Sequence, residues 1–325
     1  MSLIRRDFLK LATGAAAAAG TSAAARAENY PSRPVRFIVG FPPAGTTDIG
    51  ARLMGQYLSD RLGQQFVVEN RPGAGSSVAA EFVAHAPPDG YTILLSSVAN
   101  AINASYYQNL NFDLVRDFAP VGNVMQMPLV METNPAFPVK SVAEFITYAK
   151  ANPGKISMAS SGVGTSGHIT GVLFAMMSGV DMVHVPYRGA GPALVDVVAG
   201  QCQVIFDLLP SSIGYIRSGS LRALGMTTAA RSAALPDVPA IGETVNGYDA
   251  GAWIGISAPK DTPRPIVGKL NEAINAGLAD KTVLARFGEL GGIATPGTPE
   301  QFGAYIAGET EKWARVIKFA NLKAE

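Results

Sequence analysis

Five short stretches, each directly following an apolar run, hold most of the residues that could do chemistry. They read Phe41-Pro42-Pro43-Ala44-Gly45-Thr46-Thr47-Asp48, Ser96-Ser97-Val98-Ala99-Asn100, Ser160-Ser161-Gly162-Val163-Gly164-Thr165-Ser166-Gly167, Pro186-Tyr187-Arg188-Gly189, and 207–212, which opens on Asp207. Small hydroxyls, glycines and amides dominate over charge. Such residues offer backbone N–H groups and neutral hydroxyl donors at helix starts, where the positive end of the helix dipole favours an anion. The competing reading is local capping, because Thr46, Thr47, Ser76, Ser166 and Ser211 could each satisfy unpaired first-turn amides. A single loop of this kind reads as a cap. Five at the same sheet edges predict a binding cleft, since open α/β sheets hold ligands outside the carboxyl ends of their strands.

Signals for covalent, metal or cofactor chemistry are weak. His85, His168 and His184 have no metal-ligand spacing, and Cys202 is the only cysteine. Flanked by Gln201 and Gln203-Val204-Ile205-Phe206, Cys202 reads as a packed thiol at a strand edge, and alone it can form no internal disulfide. Gly164-Thr165-Ser166-Gly167 is not the G-x-S-x-G nucleophile elbow. Gly162-Val163-Gly164-Thr165-Ser166-Gly167 does match G-x-G-x-x-G, but dinucleotide binding also needs an acid at the end of the next strand, about 20 residues on. Asp181 precedes that strand and Pro186-Tyr187 end it, so no cofactor and no metal are expected. His168 opens a helix beside the glycine loop and faces either the cleft or the helix packing. His184, between Val183 and Val185, reads as a core or sheet-face residue. Arg188 suits a ligand carboxylate or, equally, an ion pair at the rim.

A neutral site suffices energetically. Micromolar binding needs about −8 kcal/mol, and hydrogen bonds to an ionised group contribute about 1.5–3 kcal/mol each.

The elements that must position these loops are legible from periodicity. Val/Ile-rich runs at 35–40, 65–69 and 91–95 alternate with helical patterns at 47–62 and 76–86, a βαβαβ series that implies a parallel sheet. In the helix at 47–62, Ile49, Leu53, Tyr57 and Leu62 mark the apolar face. The pattern restarts after a helix at 142–152, halted by Asn152-Pro153-Gly154. Strands at 156–159, 182–185, 204–206 and 221–226 and helices at 168–178 and 192–198 follow. Segments 121–133 and 252–258 read as two extended crossovers, which would return the C-terminal part to the first lobe. The expected division is lobe 1 at 28–123 and 254–325, and lobe 2 at 124–253. Helices at 265–279 and 299–320 close the chain, the last burying Phe302, Tyr305, Ile306, Trp313, Val316 and Ile317.

The N-terminus supplies an address. Arg5-Arg6-Asp7-Phe8-Leu9-Lys10, a soft Ala-rich stretch and Ala25-Arg26-Ala27 form a charged region, an apolar region and an A-x-A cleavage signal. The paired arginines resemble a twin-arginine export signal, with Ile4 where Ser or Thr is usual. Residues 11–25 are too poor in strongly apolar side chains for a membrane anchor. The expectation is export to the periplasm with cleavage after Ala27. Removing four basic side chains and Asp7 takes the net charge from +1 to −2. A near-neutral chain has no electrostatic footprint for nucleic acid or anionic lipid. At 48% hydrophobic and 16% charged it can bury a large core.

Taken together, Pro42-Pro43-Ala44-Gly45 with Asp48 and Ala51-Arg52, 69–75, Pro88-Asp89-Gly90-Tyr91, 161–168, 185–192 and Ala258-Pro259 resemble the Bug-type solute-binding proteins of tripartite tricarboxylate transporters. The resemblance runs from about 30 to 317. It departs at Ala44 and at Ser76, where glycine is common. It implies an α/β, two-lobed periplasmic-binding-protein fold, each lobe a mostly parallel sheet flanked by helices, closing on a small organic acid or amino acid. The residues carried over to the cleft are Ala44, Gly45, Thr46, Thr47, Asp48, Ser96, Ser97, Ser161, Gly164, Thr165, Ser166, His168, Tyr187, Arg188, Gly189 and Asp207. The implied partners are the membrane permease subunits of such a transporter. The protein is expected to be a monomer, to bind no nucleic acid and to be no enzyme. Alternatives are a ligand-sensing module for a membrane receptor and a periplasmic hydrolase using Ser166 and His168.

Overall fold

The computed structural model describes residues 30–43 and 46–322. The expected export signal at 1–27 and two expected ligand contacts, Ala44 and Gly45, lie outside the described residues.

In chain order the first elements are β1 (Val35–Val39), α1 (Thr46–Leu62), β2 (Phe66–Asn70), α2 (Ser77–Ala84), β3 (Thr92–Ser97), α3 (Val98–Tyr106), a long β4 (Phe118–Thr133) and α4 (Val142–Ala151). Next come β5 (Ile156–Ser160), α5 (Ser166–Ser178), β6 (Met182–Pro186), α6 (Ala190–Val198), β7 (Val204–Leu208), α7 (Leu209–Arg217) and β8 (Arg222–Met226). The chain finishes with β9 (Gly251–Pro259), α8 (Arg264–Gly277), α9 (Lys281–Glu289), β10 (Ile293–Ala294) and α10 (Pro299–Phe319).

The strands make one mixed sheet in the order β2-β1-β3-β9-β4-β7-β5-β6, with β8 and β10 also pairing with β4. β2, β1 and β3 are parallel, as are β7, β5 and β6. β9 and β4 run antiparallel to their neighbours and join the two parallel sets. This is the α/β architecture that the alternating pattern predicts, with the two extended crossovers realised as β4 and β9. Pro128 marks the exchange within β4: it is the last residue paired with β9, and Leu129 begins the pairing with β7. Proline lacks the N–H that a continuous ladder requires, so it suits a point where a strand changes partners.

Two packing details differ from the sequence reading. In α1 the buried apolar side chains are Ala51, Met54 and Leu58, whereas Ile49 is 42% exposed. The side that meets the sheet carries Gly50 and Gly55; a Cβ at Gly50 would fall 2.8 Å from Ile254 Cδ1. Small residues let the helix approach closely, and a hydropathy pattern gives them no weight. In α10, Phe302, Ile306, Trp313, Val316 and Ile317 are buried as expected and Tyr305 is half-buried. Glu309 is buried among them, accepting hydrogen bonds from the indoles of Trp253 at 3.0 Å and Trp313 at 2.9 Å, and pairing with Lys312. A buried carboxylate held this way fixes α10 against β9.

Candidate functional site

Register explains where a ligand can sit. Ser97, the last residue of β3, lies opposite Ile254 of β9, and Leu208, the last of β7, lies opposite Leu129 of β4. Between them Met127 of β4 pairs with Ala252 of β9. The carboxyl ends of the two parallel sets therefore meet across the middle of the two long strands. A cavity of about 370 Å³ occupies that place.

Its floor is Met127, Ala252, Trp253 and Ile254. Phe41, Thr46, Thr47, Gly75, Ser97, Val98, Ala99, Ile102 and Asn103 line it from the β1–β3 side; Ser161, Val163, Gly164, Thr165, Ser166 and Leu208 line it from the β5–β7 side. Among these described lining residues none carries a charge. Four helices start at the cavity: Thr46 and Thr47 open α1, Val98 and Ala99 open α3, Ser166 opens α5, and Leu208 is the N-cap residue of α7. First-turn amides have no intrahelical acceptor, and the helix dipole makes each of these ends positive. Converged on one cavity with no charged side chain among its described lining residues, they make an arrangement suited to an anion such as a carboxylate or phosphate.

The glycine loop 162–167 is shaped for this. Gly164 has φ 75°, a left-handed value that costs other residues strain. A Cβ at Gly167 would lie 2.2 Å from the Phe206 carbonyl oxygen, so glycine lets the start of α5 press against β7. Thr165 caps α5 by accepting from the His168 amide at 3.5 Å, while its own hydroxyl donates to the Gly162 carbonyl at 2.7 Å. On the other side Ser76 adopts φ 79°, and its Oγ accepts from Asn100 Nδ2 at 3.2 Å. Serine thus tolerates a glycine-like conformation in exchange for a bond to α3.

Of the sixteen carried-over residues, Thr46, Thr47, Ser97, Ser161, Gly164, Thr165 and Ser166 line the cavity. Ala44 and Gly45 lie outside the described residues. The others stand behind the lining or away from it. Asp48 is only 2% exposed; it accepts from Arg52 Nε at 2.9 Å and Asn70 Nδ2 at 2.8 Å. Asn70 Nδ2 also donates to the Phe41 carbonyl at 2.9 Å, so Asp48 braces the end of β1. Ser96 is buried against Ser257 Oγ at 3.0 Å. Tyr187 donates its hydroxyl to Asp196 Oδ2 at 2.7 Å and touches Cys202 Sγ at 3.4 Å. Gly189 donates its N–H to the Ser161 carbonyl at 3.2 Å, and Arg188 is exposed.

His168 is buried behind the glycine loop. Its Nδ1 accepts from the Gly164 N–H at 3.1 Å, and its ring stacks on His184 with centroids 3.7 Å apart. Burial, with the neighbouring His184 ring, pushes its pKa down to about 3. His184, also lowered by burial, lies 2.6 Å from Ser160 Oγ through Nε2. The pair is a neutral prop for the loop, and its acceptor is spent on backbone rather than turned to Ser166. Asp207 is buried, bonded by Ser211, and held above the ordinary carboxylate range by burial. Beside it the fully buried Glu132 accepts from Ser212; burial chiefly, with Asp207 adding to it, pushes Glu132 up to about 8. Among the described residues no group of three or more His, Cys, Asp or Glu converges as a metal site.

The sequence reading missed the floor. Met127 and residues 252–254 were legible only as extended crossover, and nothing local distinguishes a crossover that lines a cleft from one that does not. Segments 96–100 and 207–212 read as loops; instead β3 passes into α3 and β7 into α7 without an intervening turn, which brings Ile102 and Asn103 into the lining.

The model of the family described as "Tripartite tricarboxylate transporter family receptor" matches residues 50–322. Protein BugT of Bordetella pertussis is 37% identical over 312 residues, spanning 94% of this chain and 95% of BugT. Among solved structures, a protein of R. palustris with adipate is 35% identical with a TM-score of 0.76, over 90% of this chain and 99% of that one. MatC from Rhodopseudomonas palustris with bound malate is 31% identical with a TM-score of 0.72, over 89% of this chain and 100% of MatC.

Proposed function

The chain belongs to the tripartite tricarboxylate transporter receptor family, and from that premise we propose that it is an exported solute-binding protein that captures a small carboxylate and presents it to a membrane permease. The observation that carries this reading is the convergence of four helix starts on one cavity whose described lining has no charged side chain. Related proteins solved with adipate and malate support carboxylate as the ligand class.

In this reading 28–123 with 254–325 and 124–253 are two lobes that close on ligand about β4 and β9. Ligand favours the closed state by contacting both lobes, and closure is the signal the permease reads. Residues 1–27 direct export to the periplasm, and among the described residues no helix is long and apolar enough to cross a membrane. The protein binds without turnover, because the imidazole nearest Ser166 in sequence is committed to Gly164 and His184.

A thermal-shift screen over mono-, di- and tricarboxylates tests the proposal. A true ligand at 100 times its Kd adds about 2.7 kcal/mol of stability and is recovered chemically unchanged. Failure of every carboxylate to raise Tm, or conversion of one that does, defeats it.

A further inference from the structure

Two buried carboxyl groups stand behind the cavity, under the start of α7. Asp207 of β7 lies opposite Val130 of β4, and Glu132, opposite Ile205, is the next β4 residue on that same face. Both carboxyls reach the first turn of α7: Ser211 donates to Asp207, and Ser212 donates to Glu132. Between Asp207 and that turn stands Leu208, which lines the cavity. An anion at the start of α7 therefore has the carboxyl pair on the far side of one helical turn.

Glu132 is fully buried and only one of its oxygens is satisfied; Oε2 meets no donor. Among the described residues no cation faces it. From β8, Ala223 lies opposite Glu132 and Arg222 opposite Thr133, with the Arg222 guanidinium on the Phe137 and Val139 carbonyls. On α7, Tyr215 packs against the cluster around Leu194 and Cys202, and Arg217 is exposed. Asp237, in the segment after β8, is exposed as well. An ionised carboxylate so placed lacks both water and a partner, whereas a protonated one carries no charge to satisfy. Burial, with the Asp207 charge adding to it, pushes Glu132 up to about 8, in keeping with this.

We propose that anion capture in the cavity is coupled to a proton held by Glu132 and Asp207, so that ligand and proton are bound together and released together. This rests on the carboxylate-capture reading and adds a regulating ion to it. The coupling is electrostatic and reciprocal: an anion at the start of α7 opposes ionisation of the pair, and an ionised pair opposes the anion. The proton comes from solvent to Glu132 Oε2, and the ligand is left unchanged. Bound ligand thus raises the pH at which the proton leaves. Affinity is constant while free and bound protein both keep the proton, and falls once the free protein loses it, as pH rises through about 8.

Isothermal titration with adipate and malate tests this between about pH 6.5 and about pH 9.5, a range in which carboxylates stay ionised. The carboxylate that raises Tm most in the thermal screen is added if it is neither. Affinity is expected to fall at least about fivefold across the range, the low end of ordinary coupling between sites. Near pH 8 the measured heat should differ between phosphate and Tris in proportion to their ionisation enthalpies, which registers proton uptake. Glu132→Gln keeps an acceptor for Ser212 and cannot ionise. It should bind like the parent at the acid end, and lose both the fall in affinity and the buffer dependence. Asp207→Asn removes the like charge and should move the fall to lower pH. Unfolding midpoints show that each variant is folded; should one fail, the other and the parent's buffer dependence decide. A Glu132 that merely held α7 in place would weaken binding equally at every pH when replaced, and would leave the heat independent of buffer. Parent affinity and heat indifferent to pH and buffer, a fall that persists in Glu132→Gln, or one unmoved in Asp207→Asn overturns the inference while leaving carboxylate capture intact. Absence of binding by every compound, with no response to any carboxylate in the thermal screen, overturns both.

Discussion

Asp48 shows how little a residue's type says about whether it meets the ligand. A bare carboxylate in the first turn of a helix that opens on an anion site would repel an anion if it faced the cavity. It is instead turned back, 2% exposed, between Arg52 and Asn70. Through Asn70, which also bonds the Phe41 carbonyl, it holds the chain just past the end of β1. Asp48→Ala removes the acceptor of Arg52 Nε and one of the two acceptors of Asn70 Nδ2, and is expected to lower stability by about 1–3 kcal/mol in urea unfolding, with weakened ligand affinity. Asp48→Asn keeps one acceptor oxygen and is expected to affect affinity much less. If Asn and Ala weaken binding equally while neither alters stability, the charge itself contacts the ligand. Glu132 supplies a second prediction at this scale. Burial holds its carboxyl at about 8, above the ordinary 4.5. Between those values the folded protein keeps a proton that the unfolded chain has lost, so this contribution is complete below about pH 4.5 and disappears as pH rises through 8. Glu132→Gln cannot titrate. Its unfolding midpoint should fall less between pH 5 and pH 8 than that of the parent, and should exceed the parent's above pH 8. Parallel curves for the two proteins exclude a proton held at this site.

At the scale of elements, the site depends on helices that begin hard against strands. Gly167 is the clearest case, because any side chain there meets the Phe206 carbonyl of β7. Gly167→Ala is expected to push the start of α5 away from β7, weakening ligand binding about tenfold or more, as a displacement near 1 Å can, and lowering Tm. An unchanged Kd in a variant with lowered Tm would show that the position of α5 does not govern the site. The same closeness limited what could be read from the sequence. α3 and α7 follow β3 and β7 with no turn residues between them; Pro210 in the first turn of α7 is the one local signal, and α3 has none. α1 presents glycines to the sheet, so its buried side is displaced from its most hydropathic one.

For the molecule as a whole, the sheet is the organising fact. β4 and β9 cross between two parallel sets, so hydrogen-bond register alone brings four helix starts to one place. The proposed role requires export, and in that proposal Arg5 with Arg6 is the feature on which the route turns. Replacing both with Lys keeps the charge and removes the arginine pair. Unprocessed precursor is expected to accumulate in the cytoplasm of the native host, detectable by its size in fractionated cells, whereas normal maturation of the double variant assigns export to the general secretory route. By itself the sequence determined the alternating βα pattern, the strand-end loops, their want of charge and the family motifs. These are local properties, set by residue type and by spacing of a few positions. The tertiary structure alone decided that Met127, Trp253 and Ile254 form the floor, that His168 and His184 stack behind the glycine loop, and that Asp48 and Asp207 face inward. The floor depends on which residue of β4 lies opposite which of β9, more than a hundred positions away, and the rest on contacts between separate elements. No window of sequence contains that register; it is fixed when the two crossover strands pair and bury their shared core.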